Sequence, residues 1–372
     1  MKKHMTKLLA AVAMTWLGSS AWAGDPCTTC EEPATRGGWY GSVGVMVLKQ
    51  VGGSNPAFVT ETYSPVNQNG QSFLVSSQLS EFDQEYRWAG RVELGVKDAS
   101  GFGLRARYFW FEDDSSISFQ DNTGVQSVNG FPGQTYNSTT GNRYLTANPV
   151  GINFASVGTE SAPSQLNYDR NLRIQALDLD LTSDCRRGCL EVTWFGGIRF
   201  MRIEQDYNAS ERVLPPLENF EFPAVYPVGQ QLRSSHSLDA WGPTVGVEAR
   251  YPVIANMKAF TSARFGLLYA EGDQVATLAL QARDPDQPPV FQVPFSSITM
   301  SRTLALPIGE LELGGEYNRV LGCDGPELFV RGSVMANAYW GAGNAARVNS
   351  SNMPANEDLY FFGFAATVGI RY

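Results

Sequence analysis

In 372 residues the chain carries 37 acidic against 28 basic side chains, a formal net charge of −9, with 12% aromatic residues and 37 glycines. The acidic balance argues against nucleic acid as a partner, and no run after Tyr40 reaches the roughly 18 uninterrupted apolar residues that a membrane helix needs. A large all-β chain fits this composition, and among all-β chains only a closed barrel can cross a membrane, because it satisfies its own backbone polar groups.

Residues 1–23 read as a secretory signal peptide: Lys2, Lys3 and Lys7 precede the apolar run Leu8 to Leu17, and Ala21-Trp22-Ala23 has the shape of a cleavage site. Lipidation at Cys27 is disfavoured, because Pro26 stands where a small residue is required. Residues 24–38 then form a periplasmic N-terminal segment and residues 39–372 the barrel. Removing the signal takes three lysines and no acid, so nearly all remaining cations are arginines, the residue suited to buried bidentate pairing with carboxylates.

Alternation with a period of two predicts about ten strands, each long enough to cross a bilayer at a tilt. They begin with Trp39 to Leu48 and Tyr86 to Lys97, where Trp88, Val92 and Leu94 oppose Arg87, Arg91 and Glu93. Phe102 to Phe111 repeats the split, with Leu104, Tyr108 and Trp110 against Arg105 and Arg107. Leu172 to Thr182, Leu190 to Arg202, Trp241 to Tyr251, Met257 to Ala270, Leu304 to Arg319, Leu328 to Trp340 and Tyr360 to Tyr372 complete the set. Two of them change apolar phase midway, which predicts β-bulges near Ala176 and Gly309. Short connections alternate with long ones, as they do where short turns face the periplasm and long loops face outward. The long segment Glu112 to Asp169 has room for a further hairpin, which would raise the strand count to twelve.

Aromatic residues gather at strand ends. Trp39, Phe102, Tyr251, Tyr317 and Tyr372 lie on the turn side, and Tyr86, Trp88, Trp110, Trp241, Tyr269, Trp340 and Tyr360 on the loop side, which predicts two interfacial girdles. Tyr372, a terminal aromatic on an alternating strand, resembles the signal by which outer-membrane proteins are recognised for assembly, so outer-membrane lipid and the barrel assembly machinery are the expected partners. A homo-oligomer is also allowed.

The opposite face of the strands is densely charged with both signs. Its candidates are Arg87, Arg91, Glu93, Arg105, Arg107, Asp178, Asp180, Arg199, Glu248, Arg250, Arg264, Glu310, Glu312, Glu316 and Arg331. Arginines on the second and third strands and glutamates on the eighth set up a transverse field across a hydrated constriction, or else an ion-pair network that plugs a narrow barrel. If the constriction is hydrated, Arg87, Arg91, Arg105 and Arg107 face Glu310, Glu312 and Glu316 across water.

No enzymatic constellation stands out. After the signal the one histidine is His236, and its neighbour Ser237 points to the opposite face of a strand. The stretches "FEDDSS" and "QDNTG" are acidic but lack EF-hand spacing, so neither a metal nor a cofactor is expected. Cys27, Cys30, Cys185, Cys189 and Cys323 all fall on the periplasmic side, where disulfides persist, and Cys185–Cys189 is the nearest local pair.

"LDLDLT" leading to "WFGGIRF", then "GPTVGVEARYPV", "ARFGLLYAEG", "LELGGEYNR" and "VGIRY" resemble the strand pattern of the Legionella-type pore-forming outer-membrane protein family. The resemblance runs from about Trp39 to Tyr372. It implies a porin-like barrel, and the strand count makes that barrel a narrow channel for small hydrophilic solutes or ions. The alternative is a structural or surface-interaction barrel with a plugged lumen and functional extracellular loops.

Overall fold

A computed structural model of the chain describes residues 37–52, 55–63, 74–121, 141–146, 164–213, 226–254, 256–284, 287–322, 325–346 and 357–372. The expected signal peptide lies outside these residues, as does nearly all of the N-terminal segment. Ten antiparallel strands close into an up-and-down barrel: β1 (Gly38–Gly52), β4 (Arg87–Lys97), β5 (Phe102–Asp121), β7 (Ser164–Arg187), β8 (Leu190–Val213), β9 (Tyr226–Ile254), β10 (Met257–Asp284), β11 (Gln287–Val320), β12 (Glu327–Tyr339) and β13 (Leu359–Arg371). The seam pairs β1 with β13 from Tyr40↔Arg371 to Gly52↔Tyr360, so the barrel sheet itself has no open edge. Tyr372 finishes the seam, with its backbone N–H donating to the Trp39 carbonyl at 2.9 Å and its ring stacked on the Trp39 indole.

The outward face is apolar because it meets lipid. Trp39, Phe102, Tyr251, Tyr317 and Tyr372 ring the lower rim, and Tyr86, Trp88, Trp110, Trp241 and Tyr269 the upper, all of them exposed. Along β10 the band runs from Met257 to Tyr269, about 28 Å at a 45° tilt, close to the thickness of an outer-membrane hydrocarbon layer. Trp340 and Tyr360, expected in the upper girdle, are only half-buried beside it.

Three expectations are corrected. No bulge occurs near Ala176 or Gly309, since the register runs unbroken through Phe109↔Ala176 and Phe265↔Gly309. Ile174, Ala176, Leu306 and Ile308 instead point inward and are buried, because at that height the lumen itself is apolar. The additional strands do not enlarge the barrel: β2 (Pro56–Tyr63), β3 (Leu74–Glu81) and β6 (Gly141–Thr146) form a separate sheet ordered β3-β2-β6. Cys185 and Cys189 are not joined. The β7–β8 hairpin closes through Arg187↔Leu190, which leaves Cys189 as a free, exposed thiol at the turn while Cys185 sits opposite Val192 and is bonded elsewhere. Cys27, Cys30 and Cys323 lie outside the described residues.

Much of what reads as loop is strand. Beyond Tyr269 the β10–β11 hairpin continues to the Asp284↔Gln287 rung, about 50 Å further along the strand. "FEDDSS" continues β5, and β7, β8 and β9 lengthen with it. Of "QDNTG", Gln120 and Asp121 end β5 and the rest lies outside the described residues. The result is a walled extension on the extracellular side.

Candidate functional site in the barrel lumen

From the periplasmic end the lumen opens as a vestibule of about 530 Å³, lined among others by Tyr40, Glu93, Lys97, Glu191, Arg250 and Lys258. Its walls carry ion pairs that each reach over an intervening strand: Lys97 of β4 to Asp184 of β7 at 2.7 Å and Lys258 of β10 to Glu191 of β8 at 2.9 Å. Above them Glu316 accepts from Arg331 and from both terminal nitrogens of Arg371, while Glu248 accepts from Arg250 at 2.7 Å and Arg331 at 3.0 Å.

The vestibule ends at a tighter layer. Asp180 holds Arg105 at 2.9 Å and Arg264 at 2.6 Å; Asp178 holds Arg107 at 2.8 Å, Arg199 at 2.6 Å and Arg264 at 3.1 Å. Glu310 closes the cluster from the far wall, 2.6 Å from both Arg107 and Arg199. Glu312 receives both Arg91 nitrogens, at 2.7 and 3.1 Å, and the Ser333 hydroxyl. Arg199 and Arg264 are 1% exposed. A cavity between Arg91, Arg107, Arg264, Glu310 and Glu312 in this layer measures about 20 Å³, little more than one water molecule occupies.

The charges balance. Arg91, Arg105, Arg107, Arg199 and Arg264 meet Glu93, Asp178, Asp180, Glu310 and Glu312, so the layer carries no net charge. Arg87, also expected here, stands higher and half-exposed, with Asp113 as its partner at 3.0 Å. The expected apposition of Arg91 and Arg107 to Glu312 and Glu310 is present as direct contact; Arg105 turns to Asp180 and Glu316 serves Arg331 and Arg371.

Two contributors escape a reading by charge alone. Phe195 lies inward on β8 and forms a shelf, with the guanidinium carbons of Arg105 and Arg264 at 4.1 and 4.7 Å from its ring centroid. The residue opposite is Gly246, which leaves room for the ring: a Cβ there would fall 2.3 Å from it. The second is Asp113, 3.6 Å from Arg170, hidden in a stretch whose polarity suggests loop. An inward position two residues from Phe111 on a continuing strand is the signal that finds it.

Above the ion pairs an apolar layer fills the lumen: Met46, Leu48, Phe111, Leu172, Ile174, Ile203, Leu238, Leu268, Leu306, Ile308, Tyr339 and Phe361 are among the buried residues that pack together. Higher still, Gly341 to Ala346 folds into the barrel mouth and is buried there. The cap continues with Ala57, Phe82, Tyr168, Tyr207 and Leu232, and Phe58 of β2 stacks on Tyr168 at 4.9 Å. His236 is buried and faces away from Ser237, as a period of two dictates. No group of three or more His, Cys, Asp or Glu able to hold a metal occurs among the described residues.

A closed, lipid-banded, antiparallel barrel with aromatic girdles and a long extracellular wall is an outer-membrane β-barrel. The chain belongs to the family of the Legionella pneumophila major outer membrane protein precursor, whose pattern matches residues 31–372. Among solved structures it is similar to the outer membrane protease OmpT of Escherichia coli, at 10% identity over 92% of this chain and 99% of that one, with a TM-score of 0.43. A major outer membrane protein from Thermus thermophilus matches at 10% identity over 90% and 99% of the two chains, TM-score 0.30, and a Pseudomonas aeruginosa FadL homologue at 8% over 95% of each, TM-score 0.24. No curated protein matches.

Proposed function

We propose that the protein is a closed barrel that anchors a large extracellular β-structure in the outer membrane, with that exposed wall as its working surface. One observation carries the reading: three successive fillings occupy the lumen, an ion-paired layer, an apolar layer and the inserted Gly341 to Ala346 segment. A conducting path needs charges that stay hydrated and can be left again by a passing ion; here carboxylates and guanidinia are matched to one another at hydrogen-bond distance. The proposal involves no chemistry and no cofactor, and takes residues 1–23 as the export signal, lipid and the assembly machinery as partners.

The vestibule favours a second reading, a narrow channel seen closed, since its charged walls reach from the periplasm to the ion-paired layer. Swelling of vesicles loaded with a small sugar separates the two. Vesicles containing the protein are expected to swell no faster than empty ones at neutral pH, and sugar entry proportional to the protein added would favour the channel.

A further inference from the structure

The segment Gly341 to Ala346 follows β12 and turns down into the barrel, all six residues buried. It is held by side chains from four strands that donate to its carbonyls. Gln205 of β8 donates to Gly343 at 3.1 Å, Ser234 of β9 and Gln274 of β10 donate to Ala345 at 2.7 and 3.1 Å, and Arg302 of β11 donates to Gly341 at 3.0 Å. These contacts join the segment to the wall without entering any strand ladder, so it can leave while the barrel stays closed.

His236 stands at the centre of this arrangement. Its cross-strand neighbours are Gln205 and Gln274, it is 0% exposed, and neither ring nitrogen has a hydrogen-bond partner. Gly343, at φ +91°, lies directly against it: a Cβ there would fall 2.9 and 3.0 Å from the ring's Cε1 and Nε2 and 2.8 Å from Arg302. The groups around the ring do not suit a cation. From β11 comes Arg302, from β8 the neutral Gln205, from its own strand Ser234 and Leu238, and from β10 Gln274 with Asp273 on the outer face. Asn344 donates to Glu357 and the Gly341 N–H to Asp358, at the foot of β13.

We propose that the Gly341 to Ala346 segment is an acid-released plug, expelled from the barrel mouth when the His236 imidazole takes up a proton. The inference rests on the closed-lumen reading. A protonated ring has two N–H donors to satisfy and a positive charge beside Arg302, and with the plug in place neither ring nitrogen is paired. Expulsion lets water reach the ring. It also uncovers the apolar layer beneath, including Leu238, Leu268, Leu306 and Tyr339. His236 lies five residues beyond Trp241 of the upper girdle, outside the lipid band, and burial together with Arg302 pushes its pKa down to about 4.

The sign follows from linkage. The plugged state binds the proton less readily than the released state, so plugging is fully favoured above the ordinary histidine value near 6.5 and weakens as pH falls from there toward 4. Between pH 7.5 and 5.0 the plugged-to-released ratio is expected to fall about 30-fold.

Hydrogen exchange of peptides covering residues 341–346, read by mass spectrometry on the reconstituted full-length protein and corrected for intrinsic rates, measures that ratio. Wild type is expected to lose protection by about 30-fold between pH 7.5 and 5.0, and His236→Gln to show no such loss. A flat wild-type profile, or an unchanged slope in His236→Gln, would overturn the proposal. Should His236→Gln fail to fold, Ser234→Ala takes its place: it removes an anchor, and is expected to lower protection by the same factor at both pH values. A Ser234→Ala variant that abolishes the pH slope would contradict the assignment to His236. Sugar entry at neutral pH would sink the closed-lumen reading without altering this exchange readout, so the two failures can be told apart.

Discussion

Arg264 illustrates what a single side chain does in this lumen: it reaches Asp178 and Asp180, lies over the Phe195 ring, and has almost no contact with solvent. Truncating it leaves two buried carboxylates short of a counter-charge, and Arg264→Ala should lose about 3–5 kcal/mol of unfolding free energy. Denaturant unfolding in detergent micelles measures it, and a change below about 1 kcal/mol would mean that water already hydrates these carboxylates. Arg173 pairs with Glu112 on the exposed outer surface, and Arg173→Ala is expected to leave the same midpoint unmoved. Gly246→Ala acts one step removed: its methyl group must displace the Phe195 ring, and with it the shelf under Arg105, and push off the Ala263 carbonyl 2.4 Å away, at about 1–3 kcal/mol. A neutral result there would show that both the ring and the β10 backbone give way.

At the scale of elements, the β1–β13 seam depends on its last aromatic. Deleting Tyr372 removes the stack on Trp39 and the final hydrogen bond, whereas Tyr372→Phe keeps both, so the yield of heat-modifiable protein should fall for the deletion and hold for the phenylalanine variant. Equal yields would show that closure does not depend on that ring. The β10–β11 hairpin makes the opposite test: replacing residues 279–295 by a two-residue Asn-Gly turn cuts directly above the Leu278↔Ser296 rung, where the register already shifts, and should leave barrel folding intact. The ten strands, their facing and the alternation of short with long connections are legible in the sequence because lipid imposes one polarity on one face. The inward face has no such rule. Ile174 and Leu306 suggest bulges only if every apolar residue must face lipid, and an apolar layer inside the lumen breaks that assumption. Beyond the bilayer both faces of a strand tolerate polar residues, so the upper β10–β11 hairpin, with Asp273, Gln274 and Thr277, reads as loop. The small residues of the plug, "GAGNAA", carry no periodic signal at all.

Taken as a whole, the molecule is a narrow ten-stranded barrel whose described interior holds an ion-paired layer, an apolar layer and the Gly341 to Ala346 segment above a periplasmic vestibule. The arginines and carboxylates on the inward face are legible as residues; that they meet directly rather than across water depends on wall-to-wall distance, which strand number only bounds. Arg107 on β5 and Glu310 on β11 meet across the lumen at 2.6 Å, so opposite walls are joined where a constriction would have to stay wet. Single-channel recording in planar bilayers at pH 7.5 tests this most directly. The wild-type protein, once shown to be folded by heat-modifiable migration, is expected to give no discrete conductance steps. Reproducible steps whose anion-to-cation selectivity shifts in Arg105→Ala would contradict it, and would make the same arginines the lining of an open pore.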